Sequence, residues 1–273
     1  MSFFAALERR IRAANSALCV GLDPVPDRLP PTVADADLPR WAFNRRIIDA
    51  THEHVAAYKP NLAFYEDPDG WRALAETIAY AEGKSVPVVL DAKRADVGHT
   101  ARRYARLVEA DAWGLRSMGP TAITVNPFLG EDALRPFLDR EAAGVFVLCR
   151  TSNPGGADLQ DLELADGGTV YERVAGLAAG WNDAGNVGLV VGATTPDELE
   201  TLRELVPDLP FLVPGVGAQG GDLEAAVEYG LADGIGLINS SRGIVYAGEG
   251  GERPFAAAGT AARRLADRIN ACR

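Results

Sequence analysis

Eight short apolar runs, each followed by a stretch of helical periodicity, constrain this chain more than any other feature. The runs are Ala17–Leu22, Val55–Tyr58, Val86–Ala92, Ala122–Val125, Val145–Cys149, Gly188–Val191, Phe211–Val213 and Gly234–Ile238. Helical patterning falls at about 40–52, 70–83, 98–112, 131–141, 169–184, 196–206, 222–229 and 254–271, with a further amphipathic helix ahead of the first run at 3–14. The runs are continuously apolar and do not alternate, which is how parallel strands buried on both faces read. A strand–helix unit repeated eight times without a domain-sized insertion predicts an α/β fold, a (β/α)8 TIM barrel. The expectation is a single domain over 1–273, with the leading N-terminal helix plugging the barrel floor. An open doubly wound sheet is the alternative, and the even spacing argues against it.

A length of 273 residues suits one such barrel, and 47 % hydrophobic residues supply ample core. The net charge of −11 argues against nucleic-acid and anionic-membrane partners, which need a broad basic surface. A small anionic ligand remains compatible, provided a few cations converge in a pocket. Cys19, Cys149 and Cys272 are far apart, and two sit in strand-like runs, which reads as reduced thiols in the cytoplasm. The first ten residues form a charged amphipathic segment and not a signal peptide, and no apolar run approaches a membrane span.

In a barrel of this kind the chemistry sits at the carboxyl ends of the strands. The polar residues there are Asp23, Lys59, Asp91 with Lys93, Asn126, Thr151 with Ser152, Thr194, Gln219 and Arg242. The third strand runs into Asp91-Ala-Lys93-Arg-Ala-Asp96-Val-Gly98-His-Thr100. Residues two apart on a strand point the same way, so Asp91 and Lys93 should meet. After strands seven and eight come Gly215-Val-Gly-Ala-Gln219-Gly-Gly221 and Ser240-Ser-Arg242-Gly243. Glycine-rich turns let backbone N–H groups approach an anion, and a helix N-terminus adds a favourable field. Arg242 adds a forked cation and Gln219 a neutral donor, which predicts a phosphate site.

Other motifs carry less. Gly215–Gly220 fits Gly-x-Gly-x-x-Gly, but no acid follows at the distance a ribose contact needs. His52-Glu-His54 lacks metalloprotease spacing, and with His99 the third histidine the chain offers no His/Cys metal set. Trp41, Trp71, Trp113 and Trp181 fall in helical stretches and read as packing against the barrel.

Taken together, these residues resemble the orotidine 5′-phosphate decarboxylase family. Val88–Thr100 resembles its signature, in the form found in a longer bacterial subgroup, as do Thr151-Ser-Asn-Pro-Gly155 and Pro214–Gly221. Ala95 and His99 depart from the residues frequent there. The resemblance implies decarboxylation of orotidine 5′-phosphate to UMP, with no metal and no organic cofactor. By position it implies Lys93 as proton donor and cation beside the reacting carbon, flanked by Asp91 and Asp96. It implies Asp23 and Lys59 on ribose hydroxyls, Ser152 on the pyrimidine, and Gln219 with Arg242 on phosphate. It further implies a homodimer in which Asp96, Val97 and Thr100 reach into the partner's site.

Two rivals follow from the same residues. One is a Mg²⁺-dependent sugar-phosphate decarboxylase sharing Asp-x-Lys-x-x-Asp. It wants a carboxylate at the second strand end, where Lys59 would repel the ion. The other is a non-catalytic barrel that binds a phosphorylated ligand. The loops at about 152–168 and after strand seven are expected to act as lids.

Overall fold

The computed structural model describes residues 1–109, 121–216, 221–231 and 234–273. Its strands are β1 (Leu18–Leu22), β2 (Ala57–Pro60), β3 (Val89–Arg94), β4 (Ala122–Val125), β5 (Gly144–Arg150), β6 (Val187–Val191), β7 (Phe211–Pro214) and β8 (Gly236–Ser240). They form one sheet in the order β2-β1-β8-β7-β6-β5-β4-β3, and the paired neighbours run parallel. The two ends of that order meet through parallel bridges between Tyr58 and Val88 and between Asn61 and Asp91. The sheet therefore closes, and the architecture is the (β/α)8 TIM barrel that the alternation of elements predicts. Every residue of β1, β2, β4, β6 and β8 is buried, which accounts for their unbroken apolar runs.

Three of the described α-helices begin at a side-chain cap. Asp67 accepts from the Gly70 N–H at 2.7 Å ahead of the helix Pro68–Gly83. Thr169 and Glu172 form a reciprocal capping box for the helix Val170–Gly180. The leading helix, Phe3–Ala14, is capped by Ser2 and ends at Asn15 in the left-handed region. It turns Phe3, Phe4, Leu7 and Ile11 into the barrel floor. Phe3 and Phe4 meet Phe146 edge-on, with ring centroids 6.2 and 5.5 Å away. Gly144 leaves the space for this, since a Cβ there would lie 2.6 Å from the Phe3 ring. Arg10 ties the helix to the barrel by donating to the Val55 and His52 carbonyls.

The floor cluster also holds Cys19, Ala57, Val89, Ala122, Leu212 and Leu237. Because side chains repeat every second residue, the next inward positions up these strands are Gly21, Lys59, Asp91, Thr124, Pro214 and Asn239. The floor is apolar and the mouth is polar, on the same strands.

Several boundaries differ from those expected. β3 runs from Val89 to Arg94 and not from 86 to 92, so Asp91 and Lys93 lie inside the strand. Pro87 has no N–H to give the ladder, which delays the strand's start. β2 ends at Pro60, so Lys59 is also within a strand. The helix expected over 98–112 ends at Ala105 and tightens into a 3₁₀ turn over Arg106–Val108. Trp113 lies outside the described residues. The helix expected over 131–141 ends at Leu138. Among the described residues no helix is long and apolar enough to cross a membrane.

Candidate active site

Three strands bring a chain of alternating charge to the barrel mouth. Lys59 of β2 donates from Nζ to Asp91 Oδ2 at 2.9 Å. Lys93 of β3 donates from Nζ to Asp91 Oδ1 at 2.5 Å. Thr124 of β4 donates to the same Oδ1 at 2.9 Å and accepts the Lys93 backbone N–H at 2.9 Å. The Asp91 and Lys59 side chains are only 10 % and 7 % exposed, whereas Lys93 is 48 % exposed. One carboxylate is thus shared by two ammonium groups, one sealed in the wall and one reaching into the mouth.

Burial and charge oppose each other here. Desolvation alone would push the Asp91 carboxyl up, but Lys59 and Lys93 outweigh it and hold it well below the usual carboxylate range. Desolvation would lower the Lys59 ammonium, but Asp91 and then Asp23 raise it above the ordinary lysine value. Both groups are held charged. Below them, burial pushes the Cys19 thiol up to about 12, so it is an inert part of the floor.

Lys93 reaches Asp91 by a route the residue spacing does not reveal. Its φ is +48°, in the left-handed region that a lysine rarely occupies. The two side chains meet as expected, but through a distorted strand and not through regular alternation.

Asp23, after β1, accepts from the Asn61 N–H at 3.3 Å and from the Ser241 hydroxyl at 2.6 Å. The Tyr246 hydroxyl accepts from the Val25 N–H at 2.7 Å and donates to the Asp23 carbonyl at 3.1 Å. These bonds lace the loops after β1, β2 and β8 around a cavity of about 330 Å³. Asp23, Lys59, Gly215, Ser241 and Arg242 line it, together with Arg28 and Tyr246. The Arg28 guanidinium lies 3.8 Å over the Tyr246 ring and pairs with Glu249. Three cations therefore face one cavity.

Other rim residues serve loop geometry. The Asn126 side chain accepts the Phe128 N–H at 3.0 Å, an Asx turn. Thr194 donates to the Ser152 carbonyl at 3.1 Å. The Thr151 N–H donates to Gln160 Oε1 at 2.9 Å, and Arg150 holds Asp161 at 3.0 Å. The segment over 152–168, expected as a lid, is therefore pinned at its base by side chains of its own residues. Ser152 sits at the head of that segment and is not among the residues lining the cavity.

Asp96 follows β3, and Thr100 lies in the first turn of the helix Gly98–Ala105. Asp96 accepts the neighbouring Val97 N–H at 2.7 Å, and among the described residues no ion pair joins it to Lys93. Among the described residues of one chain, Asp91 is the carboxylate paired with Lys93. Gln219 lies outside the described residues, so its place in the phosphate site is not described. Gly215 turns the chain after β7 with φ +105°, where only glycine is comfortable. The helix that follows, Leu223–Leu231, has its first amides taken by the Asp222 side chain, at 2.9 and 3.2 Å. The Asp222 carboxylate thus accepts two of the N–H groups at that helix N-terminus, while Arg28, Lys59 and Arg242 line the cavity. No three His, Cys, Asp or Glu side chains among the described residues form a metal-binding group.

Sequence reading passed over Thr124, Asn61, Tyr246 and Arg28, and quoted Ser241 in the eighth loop without giving it a role of its own. Only Thr124 carried a signal, as a hydroxyl placed two residues beyond inward-facing Ala122.

Against known proteins, residues 16–253 match the family model described as orotidine 5′-phosphate decarboxylase / HUMPS. The chain is 67 % identical to the orotidine 5′-phosphate decarboxylase of Haloarcula marismortui, over 99 % of both chains. It superposes on the structure of Leishmania donovani OMP decarboxylase with a TM-score of 0.83 and 43 % identity, covering 100 % of this chain and 98 % of that one. It also superposes on Leishmania donovani UMP synthase, with a TM-score of 0.85 and 44 % identity; all of this chain is covered, but only 56 % of that one.

Proposed function

The chain belongs to the orotidine 5′-phosphate decarboxylase family, and from that premise we propose how its residues divide the work of converting orotidine 5′-phosphate to UMP and CO₂. Breaking the bond from C6 to the carboxylate leaves an electron pair in the plane of the pyrimidine, where the ring cannot delocalise it. A fixed ammonium beside C6 stabilises that charge as it forms, and transfer of its proton to C6 completes UMP. Lys93 takes both roles. The neutral amine then regains a proton from water.

The observation that carries this assignment is the Lys59–Asp91–Lys93 chain, buried at one end and open at the other. Asp91 holds the Lys93 ammonium in place before any charge develops on substrate, so no reorganisation is needed at the moment of reaction. Its own carboxylate also faces the region where the substrate carboxylate must lie, an unfavourable contact that departure of CO₂ relieves. Asp23 and Lys59 bind ribose hydroxyls, Ser152 the pyrimidine, and Arg242 with Gln219 the phosphate. The cavity lined by Asp23, Lys59 and Arg242 supports the ribose and phosphate ends of this division, while the roles of Ser152 and Gln219 rest on the resemblance alone. Phosphate is remote from the bond that breaks, and its binding energy serves to order the site around the reacting carbon.

We take residues 1–273 as one domain that works as a homodimer in the cytoplasm, with Asp96 and Thr100 serving the partner's site. Exposed apolar side chains at the same end of the barrel support the dimer: Val97, Phe128 and Leu129 are 56 %, 75 % and 47 % exposed. The free thiols of Cys19 and Cys149 suit a reducing compartment. The Mg²⁺-dependent alternative is disfavoured because Lys59 occupies the second strand end and already holds Asp91 Oδ2.

Loss of orotate absorbance on incubation with orotidine 5′-phosphate tests the activity, and turnover that a chelator abolishes would revive the metal-dependent alternative. For the dimer, Lys93→Ala and Asp96→Ala proteins are mixed and assayed once subunit exchange is confirmed. If Asp96 serves the partner, hybrid dimers carry one intact site and activity returns. No recovery would assign Asp96 to its own chain.

A further inference from the structure

We propose that Thr124 is a positioning residue for the decarboxylation, its hydroxyl holding the Lys93 backbone in its left-handed turn while aiming the Asp91 carboxylate. The proposal rests on the reading that Lys93 and Asp91 carry the chemistry.

The strand pairing shows why such a residue is needed. Leu90 of β3 pairs with Ile123 of β4, and the next pair is Arg94 with Val125. Between those pairs β3 advances four residues (90 to 94) while β4 advances two (123 to 125). The two extra residues of β3 are accommodated among Asp91, Ala92 and Lys93, and Thr124 is the residue of β4 that faces them. A bulge of this kind leaves backbone groups without ladder partners and re-aims side chains.

Thr124 answers both problems with one hydroxyl. The Lys93 N–H can only donate, and it donates to Thr124 Oγ1 at 2.9 Å. The Asp91 carboxylate can only accept, and it receives the hydroxyl proton at 2.9 Å. The direction of both hydrogen bonds is therefore determined by chemistry. Thr124 is 1 % exposed, so water has no ready access to replace it. The lysine's unusual φ of +48° and the orientation of its carboxylate partner both converge on this side chain.

Valine has the shape of threonine without the hydroxyl. In Thr124→Val the Lys93 N–H loses its acceptor and Asp91 Oδ1 keeps only the lysine ammonium. The bulge is then free to relax toward a regular strand, which moves Nζ away from the reacting carbon. A misplacement near 1 Å costs on the order of 100-fold in rate.

The test compares Thr124→Val, Thr124→Ser and Thr124→Ala with Lys93→Ala, measuring kcat, KM for orotidine 5′-phosphate, UMP affinity and melting temperature. In Thr124→Val, kcat should fall roughly 10- to 100-fold, with KM and UMP affinity within about threefold. Thr124→Ser should retain kcat within about threefold of the parent, because it keeps the donor and the acceptor. A Thr124→Val enzyme with near-parental kcat overturns the proposal. A serine variant as slow as the valine variant also overturns it, since the hydroxyl would not be the cause. If the valine variant does not fold, the serine and alanine variants make the same comparison. Lys93→Ala separates the two levels: near-normal turnover there defeats the reading of the site itself. An inactive Lys93→Ala beside a normal Thr124→Val defeats the role of Thr124 alone.

Discussion

The floor and the mouth of this barrel are built on the same strands, about two residues and roughly 7 Å apart, yet they obey opposite rules. At the floor, Cys19, Ala57, Val89, Ala122 and Phe146 meet Phe3 and Phe4 in an apolar cluster with no titratable pair. At the mouth, Lys59, Asp91 and Thr124 occupy the next inward positions and bind one another. The floor gains stability from every methylene it buries. The mouth keeps two charges nearly out of water, and their attraction must offset a large desolvation cost. On the proposed reading, the charges serve the chemistry assigned to Lys93 and not the fold.

The sharpest way to break this comparison is Lys93→Ala. Losing both the cation and the proton donor should lower kcat by at least about 10⁴-fold. The melting temperature should change little, because Lys59 still partners Asp91. Near-normal turnover would end the assignment. The converse substitution is Phe146→Ala, which opens a cavity beneath Phe3 and Phe4. It should cost about 3–5 kcal/mol in denaturant unfolding while the folded fraction keeps its kcat. A large loss of kcat in folded protein would show that floor and mouth are coupled.

Smaller effects sharpen the picture. Replacing the buried pair by Lys59→Met with Asp91→Leu should abolish activity yet leave stability unchanged or raised by about 1–2 kcal/mol. A loss beyond about 3 kcal/mol would mean the pair stabilises the fold after all. The last effect is a pH dependence. The Asp91 carboxyl is depressed in the folded state, so its contribution is present above the ordinary carboxylate range and fades as pH falls. The Lys59 ammonium is raised, so its contribution is full below the ordinary lysine value, about 10.4, and fades as pH climbs through its folded value. The melting-temperature difference between parent and pair-swapped protein should therefore be level between roughly pH 5 and pH 9, with the parent losing ground on either side. A slope across the neutral range would mean another group titrates with the pair.

The amino-acid order alone determined the closed barrel, the plugging helix and the strand ends that carry Asp23, Lys59, Asp91, Lys93 and Arg242. Those features follow from short-range rules: continuous apolar runs, helical periodicity, and a period of two along each strand. Only the tertiary structure decided which rim residues meet. Asn126, Thr151 and Thr194 look equivalent to Lys59 in a list of strand ends, but they spend their hydrogen bonds on loops. Only folding places Asp91 between two lysines, sets the register shift that turns Lys93 left-handed, and brings Thr124 against both. The physical reason is that these are long-range contacts between separate strands: spacing along one strand says which side a residue faces, while pairing across strands says what it touches.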